Sequence, residues 1–230
     1  MVLKMVKKFF EEKIKDIELY NEAGLQYELA LYLGKKLEEA KIFLEYPITN
    51  EFTAELDSDY EKKTKFVKKE IDIFIENGGE RVVIELKFPR SNAGFPGVIY
   101  NAAKDVKFGD QIMKSGRANS FITIFITDHK SVGNGNTNHI YELFNSPDAK
   151  IDPCIKSIKI DDTYPKFMQD RKEGRYKPIE LEKEYSFKWK EIAHTDGNSD
   201  KKVFQYYIIL DFLFLLFVYW SVRPQPMTRC

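Results

Sequence analysis

Two short segments hold the side chains with the clearest chemical promise: Glu70 and Asp72 in VKKEIDIFIE, and Glu85 and Lys87 in RVVIELKF. Asn77-Gly78-Gly79 lies between them. Glycine at both central positions of a two-residue turn permits the positive φ angles of a type I′ hairpin. That turn sets Asp72 opposite Glu85 and Glu70 opposite Lys87. Strand side chains alternate, so these four share one face, while Ile71, Ile73, Ile75, Val82, Ile84, Leu86 and Phe88 form an apolar reverse. Phe74 and Val83 fall on the charged face and predict partial cover there. Opposed residues hold their Cβ atoms about 4.5–5.5 Å apart, and carboxylates at that distance repel. A cation must offset the repulsion. Lys87 supplies one, and a divalent ion on Asp72 and Glu85 supplies another. Magnesium prefers this kind of site, with one or two carboxylates plus waters and phosphate oxygens.

Such an ion polarises a phosphate and lowers the pKa of a bound water. A neighbouring lysine orients or deprotonates that water, or stabilises charge on the phosphorane oxygens. An acid pair and one lysine therefore suffice for phosphodiester hydrolysis. An isolated Glu-x-Lys is usually surface decoration, and Glu70–Lys87 and Glu76–Arg81 fit that reading too. Decoration does not account for Asp72 facing Glu85, because exposed sheets avoid like charges in register.

These residues need a scaffold. Val6, Phe9, Phe10, Ile14 and Ile17 recur at helical spacing and predict an amphipathic helix over residues 2–19. Asn21 is a candidate N-cap for a second helix with Leu25, Leu29, Leu33 and Leu37 in one stripe. IFLEYPI reads as a short strand near a sheet edge because of Pro47. TAELDSDYEKKTK and PRSNAGFP read as loops, and a helix is expected over about 97–115, stopped by Gly116. FITIFITD has the unbroken apolar character of a strand covered on both faces. KSVGNGNTN is loop-like; CIKSIKI, YSFKWKEI and VFQYYIIL are strand candidates. The order predicts an α/β sandwich with a central mixed sheet flanked by helices.

The run Asp72…Glu85-Leu86-Lys87 resembles the D…(D/E)xK signature of the PD-(D/E)xK nucleases, with Ile71 where the signature's name has proline. The resemblance extends over residues 21–128. It implies a restriction-endonuclease-like fold and metal-dependent cleavage of nucleic acid, DNA first and endonucleolytic before exonucleolytic. It assigns Mg²⁺, with Mn²⁺ as a substitute, to Asp72 and Glu85, and the attacking water to Lys87. It also implies a helix glutamate, for which Glu28 is the candidate. Lys104, Lys107 and Gln111 on the following helix, with Arg90 in the loop beside the motif strand, are the candidate substrate contacts. Gln111 is similar to a helix glutamine that some members place near the active centre.

Bulk properties neither oppose nor demand this. The 230 residues suit one domain, 43% hydrophobic and 31% charged, with formal net charge zero. A nucleic-acid surface must therefore be local. Two cysteines, Cys154 and Cys230, and three scattered histidines make neither a disulfide framework nor a zinc pattern, which suits a cytoplasmic protein. The N-terminus lacks the apolar core of a signal peptide. Residues 1–205 are read as the nuclease-like domain. Residues 206–230 are read as an apolar strand or helix and a tail, foreign in composition after about Leu210. The run over residues 206–222 is shorter than the roughly 20 residues of a spanning helix and contains Asp211, which disfavours a membrane partner. A homodimer would suit cleavage of two strands. The competing accounts are a non-catalytic nucleic-acid-binding or regulatory protein on the same fold, and a membrane-associated protein working through its C-terminal segment.

Overall fold

The computed structural model describes residues 1–48, 68, 70–89, 95–128, 150–151, 179, 185–186, 189–195 and 201–212. Arg90, the CIKSIKI segment and the tail beyond Phe212 lie outside them.

The N-terminal apolar pattern is longer than its regular helix. Helix α1 (Val2–Lys8) continues into a π-helical turn (Phe9–Lys13) and a 3₁₀ turn (Ile14–Asp16). The consecutive Phe9 and Phe10 both lie buried in the π-helical turn. Helix α2 (Glu22–Lys36) begins as expected, with Asn21 Oδ1 accepting from the Gly24 N–H at 2.8 Å. All four leucines of its stripe are buried.

Strand β1 (Lys41–Pro47) lies at the edge beside β2 (Glu70–Asn77), and β3 (Glu80–Lys87) follows on β2's other side. Gly78 and Gly79 take φ of 56° and 85°, and the register runs from Asn77↔Glu80 to Ile73↔Ile84. This is the pairing that the turn predicts as far as Ile73↔Ile84; the expected pairs Asp72–Glu85 and Glu70–Lys87 are not part of the ladder. Helix α3 (Phe95–Lys114) carries the chain to β4 (Ser120–Thr127), which pairs parallel to β3. Gly116, at φ 70°, ends the helical segment. The short strands β5 (Lys150–Ile151) and β6 (Tyr185–Ser186) pair with each other. Strands β7 (Lys190–Thr195) and β8 (Lys201–Phe212) complete a six-stranded mixed sheet of order β1-β2-β3-β4-β8-β7. YSFKWKEI is thus divided between β6 and the start of β7.

The chain is an α/β protein with helices on both faces of this sheet. One apolar core joins α1, the turns after it and α2 to Ile73, Ile75, Val82, Ile84, Leu86, Phe88, Ile122, Ile124 and Ile126. The other joins α3 to Phe74, Val83, Phe121 and Phe125. Every residue of β4 is buried, as its sequence predicts. Close approach of α3 is built in: a Cβ on Gly109 would lie 2.4 Å from the Phe121 ring.

Two expectations need correction. The boundary drawn at 205/206 falls inside β8, whose residues 205–212 pair with β4. This strand lies between β4 and the edge strand β7, with Tyr206 buried. None of the described helices is long and apolar enough to cross a membrane. The second correction is local. Ile71 packs with Phe74 and Val83, not with Ile73 and Ile75. On β1, Phe43 and Tyr46 likewise share that core, although residues three apart in a regular strand face opposite ways. The skipped alternation falls at Glu45, whose φ is 48°, and at Asp72. Registers on either side are unchanged, so the irregularity reorients side chains without shifting the strands.

Candidate active site

The skipped beat at Asp72 is where the site begins. The Asp72 carbonyl accepts from Gln26 Nε2 at 2.5 Å. The same amide nitrogen donates to Glu45 Oε1 at 2.8 Å. Asp72 Oδ2 accepts the Leu86 N–H at 2.7 Å. A side chain thus takes a backbone donor, and the charge–dipole hydrogen bond holds the carboxylate firmly. The other oxygen, Oδ1, lies 3.3 Å from Lys68 Nζ.

Lys68 is the hub. Its ammonium contacts Glu85 Oε2 directly and stands 3.3 Å from Asp105 Oδ1. Glu85 is fully buried and Asp105 is 2% exposed. Asp105 arrives from α3, among Ala102, Ala103 and Val106, whose small side chains bring that helix onto the sheet. Lys87 completes the group. Its Nζ donates to the Leu86 carbonyl at 2.7 Å and to Glu22 Oε1 at 3.3 Å, and lies 3.4 Å from Asp105 Oδ2. Glu22 Oε2 also accepts the Phe88 N–H at 2.8 Å. Asn21 therefore caps α2 immediately before a residue of the cluster, and Gln26, one turn on, supports Asp72.

Four carboxylates surround two ammonium groups, so negative charge is in surplus. Burial raises the Glu85 pKa well above the ordinary range; Asp72 and Asp105 add to the rise, and Lys68 opposes it. Burial likewise raises Asp105, against the pull of Lys87 and Lys68. Burial alone would lower both lysines. The charges of Asp105, Glu85 and Asp72 outweigh it at Lys68, and those of Asp105, Glu22 and Asp72 outweigh it at Lys87, so both rise. Two buried oxygens, Glu85 Oε1 and Asp105 Oδ2, accept no hydrogen bond, nor does Thr123 Oγ1 find a partner. Thr123 is the β4 residue in register with Glu85.

Of the residues read from sequence, Asp72, Glu85 and Lys87 are brought together. Glu28 is not with them: it lies about 200° round the helix from Gln26. The α2 glutamate that reaches the cluster is Glu22, through Lys87 and the Phe88 N–H. Lys104 and Lys107 are half-buried. Gln111 is 4% exposed and sits among the core residues of α3, not on an accessible basic face. The periodicity of that helix is dominated by its sheet-facing side, and Gln111 belongs to it. Glu22, Gln26, Lys68 and Asp105 were missed. Glu22 and Gln26 follow an N-cap at one-turn spacing, which is a readable signal. Asp105 is the acid within the small and apolar residues of AAKDVKF. Lys68 stands in a lysine-rich run where nothing marks it out.

Among the described residues, no three acidic, histidine or cysteine side chains are arranged to hold a metal ion; the Lys68 ammonium stands between the acids. Comparison with protein-family models, with curated proteins and with solved structures finds no match for this chain.

Proposed function

We propose that this protein is a divalent-metal-dependent phosphodiesterase of the PD-(D/E)xK type acting on nucleic acid, DNA first, and that its α/β architecture is the restriction-endonuclease-like sandwich. One juxtaposition carries the reading. Asp72, Glu85 and Lys87 meet in a single buried charged cluster on an otherwise apolar sheet face. Burying such charges costs several kcal/mol per ion unless they are well paired, so a purely structural role for all of them is expensive.

The donor set suits a hard cation. It consists of carboxylate oxygens in surplus over the neighbouring ammonium charge; Glu85 Oε1 is buried without a donor, and Asp105 Oδ2 meets the Lys87 ammonium at 3.4 Å. Asp72 and Glu85 would hold the ion. When bound, Mg²⁺ or Mn²⁺ supplies Lewis-acid polarisation of the scissile phosphate and an acidified water. The chain's own residues do the positioning. Leu86 N–H and Gln26 lock Asp72 at its side chain and its carbonyl. Glu22, Asp105 and the Leu86 carbonyl steer the Lys87 ammonium. Held among acceptors, Lys87 acts as a donor, orienting the attacking water or stabilising charge on the phosphorane oxygens.

A second reading, a non-catalytic nucleic-acid-binding or regulatory protein on the same fold, draws on one observation: Lys68 already offsets the acids without a metal. Cleavage assays separate the two. Linear, supercoiled, single-stranded and branched DNAs are incubated with wild type or Lys87→Ala, in Mg²⁺ or in EDTA. Metal-dependent cutting that falls about 10²–10⁴-fold in the variant is the expected result. Folded wild type that cuts none of these substrates would sink the catalytic reading and leave the binding one.

A further inference from the structure

Lys68 Nζ is the point where Asp72, Glu85 and Asp105 meet. It touches an oxygen of each, at 3.3 Å for Asp72 and Asp105 and in direct contact with Glu85. These three residues come from different elements: β2, β3 and α3. A fully buried acid is seldom kept on a helix that packs against a sheet, yet Asp105 is held among the alanines and valine of α3. The second oxygens of Glu85 and Asp105 are buried and accept no hydrogen bond. Lys68, with three protons, and Lys87, 3.4 Å from Asp105 Oδ2, do not satisfy all of these oxygens, and Glu85 Oε1 is left without a donor. A divalent cation with six ligands does so more fully.

Resting on the metal-dependent reading above, we infer that Asp105 is a third carboxylate of the cation site and that Lys68 is its resident counter-ion, which a divalent metal displaces. Metal-free protein keeps the acids apart with the Lys68 side chain. Binding exchanges a monovalent for a divalent charge at the same oxygens and releases Lys68 from the cluster. The released ammonium then stands beside a phosphate-binding metal, on the segment that leads into β2, where it is available to a phosphate oxygen of the substrate. Lys68 and the metal thus compete, and the affinity for metal is set partly by a residue that never touches it.

The experiment follows Mn²⁺ binding to the full chain by calorimetry and by the electron paramagnetic resonance of free Mn²⁺, for wild type, Lys68→Gln, Asp105→Asn and Asp72→Asn. Lys68→Gln is expected to bind Mn²⁺ about tenfold tighter, because no ammonium has to be displaced. Asp105→Asn is expected to bind at least about tenfold more weakly. In wild type, Mn²⁺ should also raise the rate at which acetic anhydride modifies Lys68, read by peptide mass spectrometry. That arm decides the matter even if Lys68→Gln does not fold without metal. Wild type that binds Mn²⁺ and loses it in Asp72→Asn, with Lys68 reactivity unchanged or reduced by the metal, would overturn the displacement and leave the metal reading standing. Unaltered affinity in Asp105→Asn would remove Asp105 from the site. Absence of Mn²⁺ binding in every variant would overturn both readings together.

Discussion

The β2–β3 hairpin turns two unlike faces to its neighbours. Toward α1 and α2 it presents Ile73, Ile75, Val82, Ile84, Leu86 and Phe88, with no charge among them. Toward α3 it presents Phe74 and Val83, and beside them Asp72, Glu85 and Lys87 with Asp105 above. Both faces are covered by helices. The first face is ordinary core, in which each buried aliphatic side chain contributes about 1.5–3 kcal/mol. The second buries carboxylates whose desolvation opposes folding. Charge is concentrated where the strand alternation is interrupted and where side chains replace ladder hydrogen bonds. Stability and the proposed chemistry are therefore supplied by opposite sides of one hairpin, and substitutions on the two sides should separate them.

The largest expected effect lies on the charged side. Glu85→Gln should reduce metal-dependent cleavage by about 10³-fold or more, equivalent to about 4 kcal/mol of barrier. In EDTA its melting temperature should equal or exceed that of wild type, because a buried charge has been removed. A clear loss of stability together with retained cleavage would reverse the roles assigned to the two faces. On the apolar side, Ile84→Ala should cost about 3 kcal/mol in urea unfolding while activity per folded molecule is kept. An activity loss larger than the unfolded fraction explains would show that the site depends on the packing behind it.

A pH series sharpens the same contrast. Glu85 and Asp105 hold their protons more tightly folded than unfolded. Their contribution is full below the ordinary carboxylate value, 4.5 for Glu85, and is lost as pH rises through the raised folded values. Lys68 acts at the alkaline end: its stabilisation is present below its ordinary 10.5 and lost as pH rises through a folded value above that. Metal-free wild type should therefore melt at progressively lower temperature as pH climbs out of the ordinary carboxylate range. Glu85→Gln should flatten that slope. A profile in wild type that rises over the same interval would contradict the surplus of buried negative charge. The smallest effect is expected at Asn21→Ala, which removes the cap of α2 and should cost about 1 kcal/mol. Because Glu22 is the next residue, cleavage should fall along with stability; a stability loss alone would detach the helix start from the site.

Much of the frame was legible because it rests on local rules. Consecutive glycines specify a two-residue turn, and the turn then specifies every pair from Asn77↔Glu80 to Ile73↔Ile84. Asn21 marks the start of α2, the leucine stripe marks its buried side, and the unbroken apolar run of β4 announces a strand covered twice. That turn brings Asp72, Glu85 and Lys87 to the same end of the hairpin, although the ladder itself stops at Ile73↔Ile84 and Lys68 and Asp105 join them.

What the chain does not state locally is which distant groups join them. Asp105 reaches the hairpin only because α3 lies close on the sheet, over Gly109 and the small residues near it. Glu22, not Glu28, reaches Lys87: it lies at helical spacing from Leu25 and Leu29 on the buried side of α2, but which group it meets there depends on where the sheet lies. Ile71 changes faces because Glu45 and Asp72 break the alternation together, a cooperation between two strands that neither sequence segment displays. Lys68 resembles its neighbours in composition and differs from them only in what surrounds it. Sequence by itself determined the hairpin, its register as far as Ile73↔Ile84 and the chemical types on each face except at Ile71, since turn geometry and strand period are properties of adjacent residues. Tertiary structure alone decided that the charges are buried and which ammonium answers which carboxylate, since burial and pairing depend on elements that meet only after the sheet has formed.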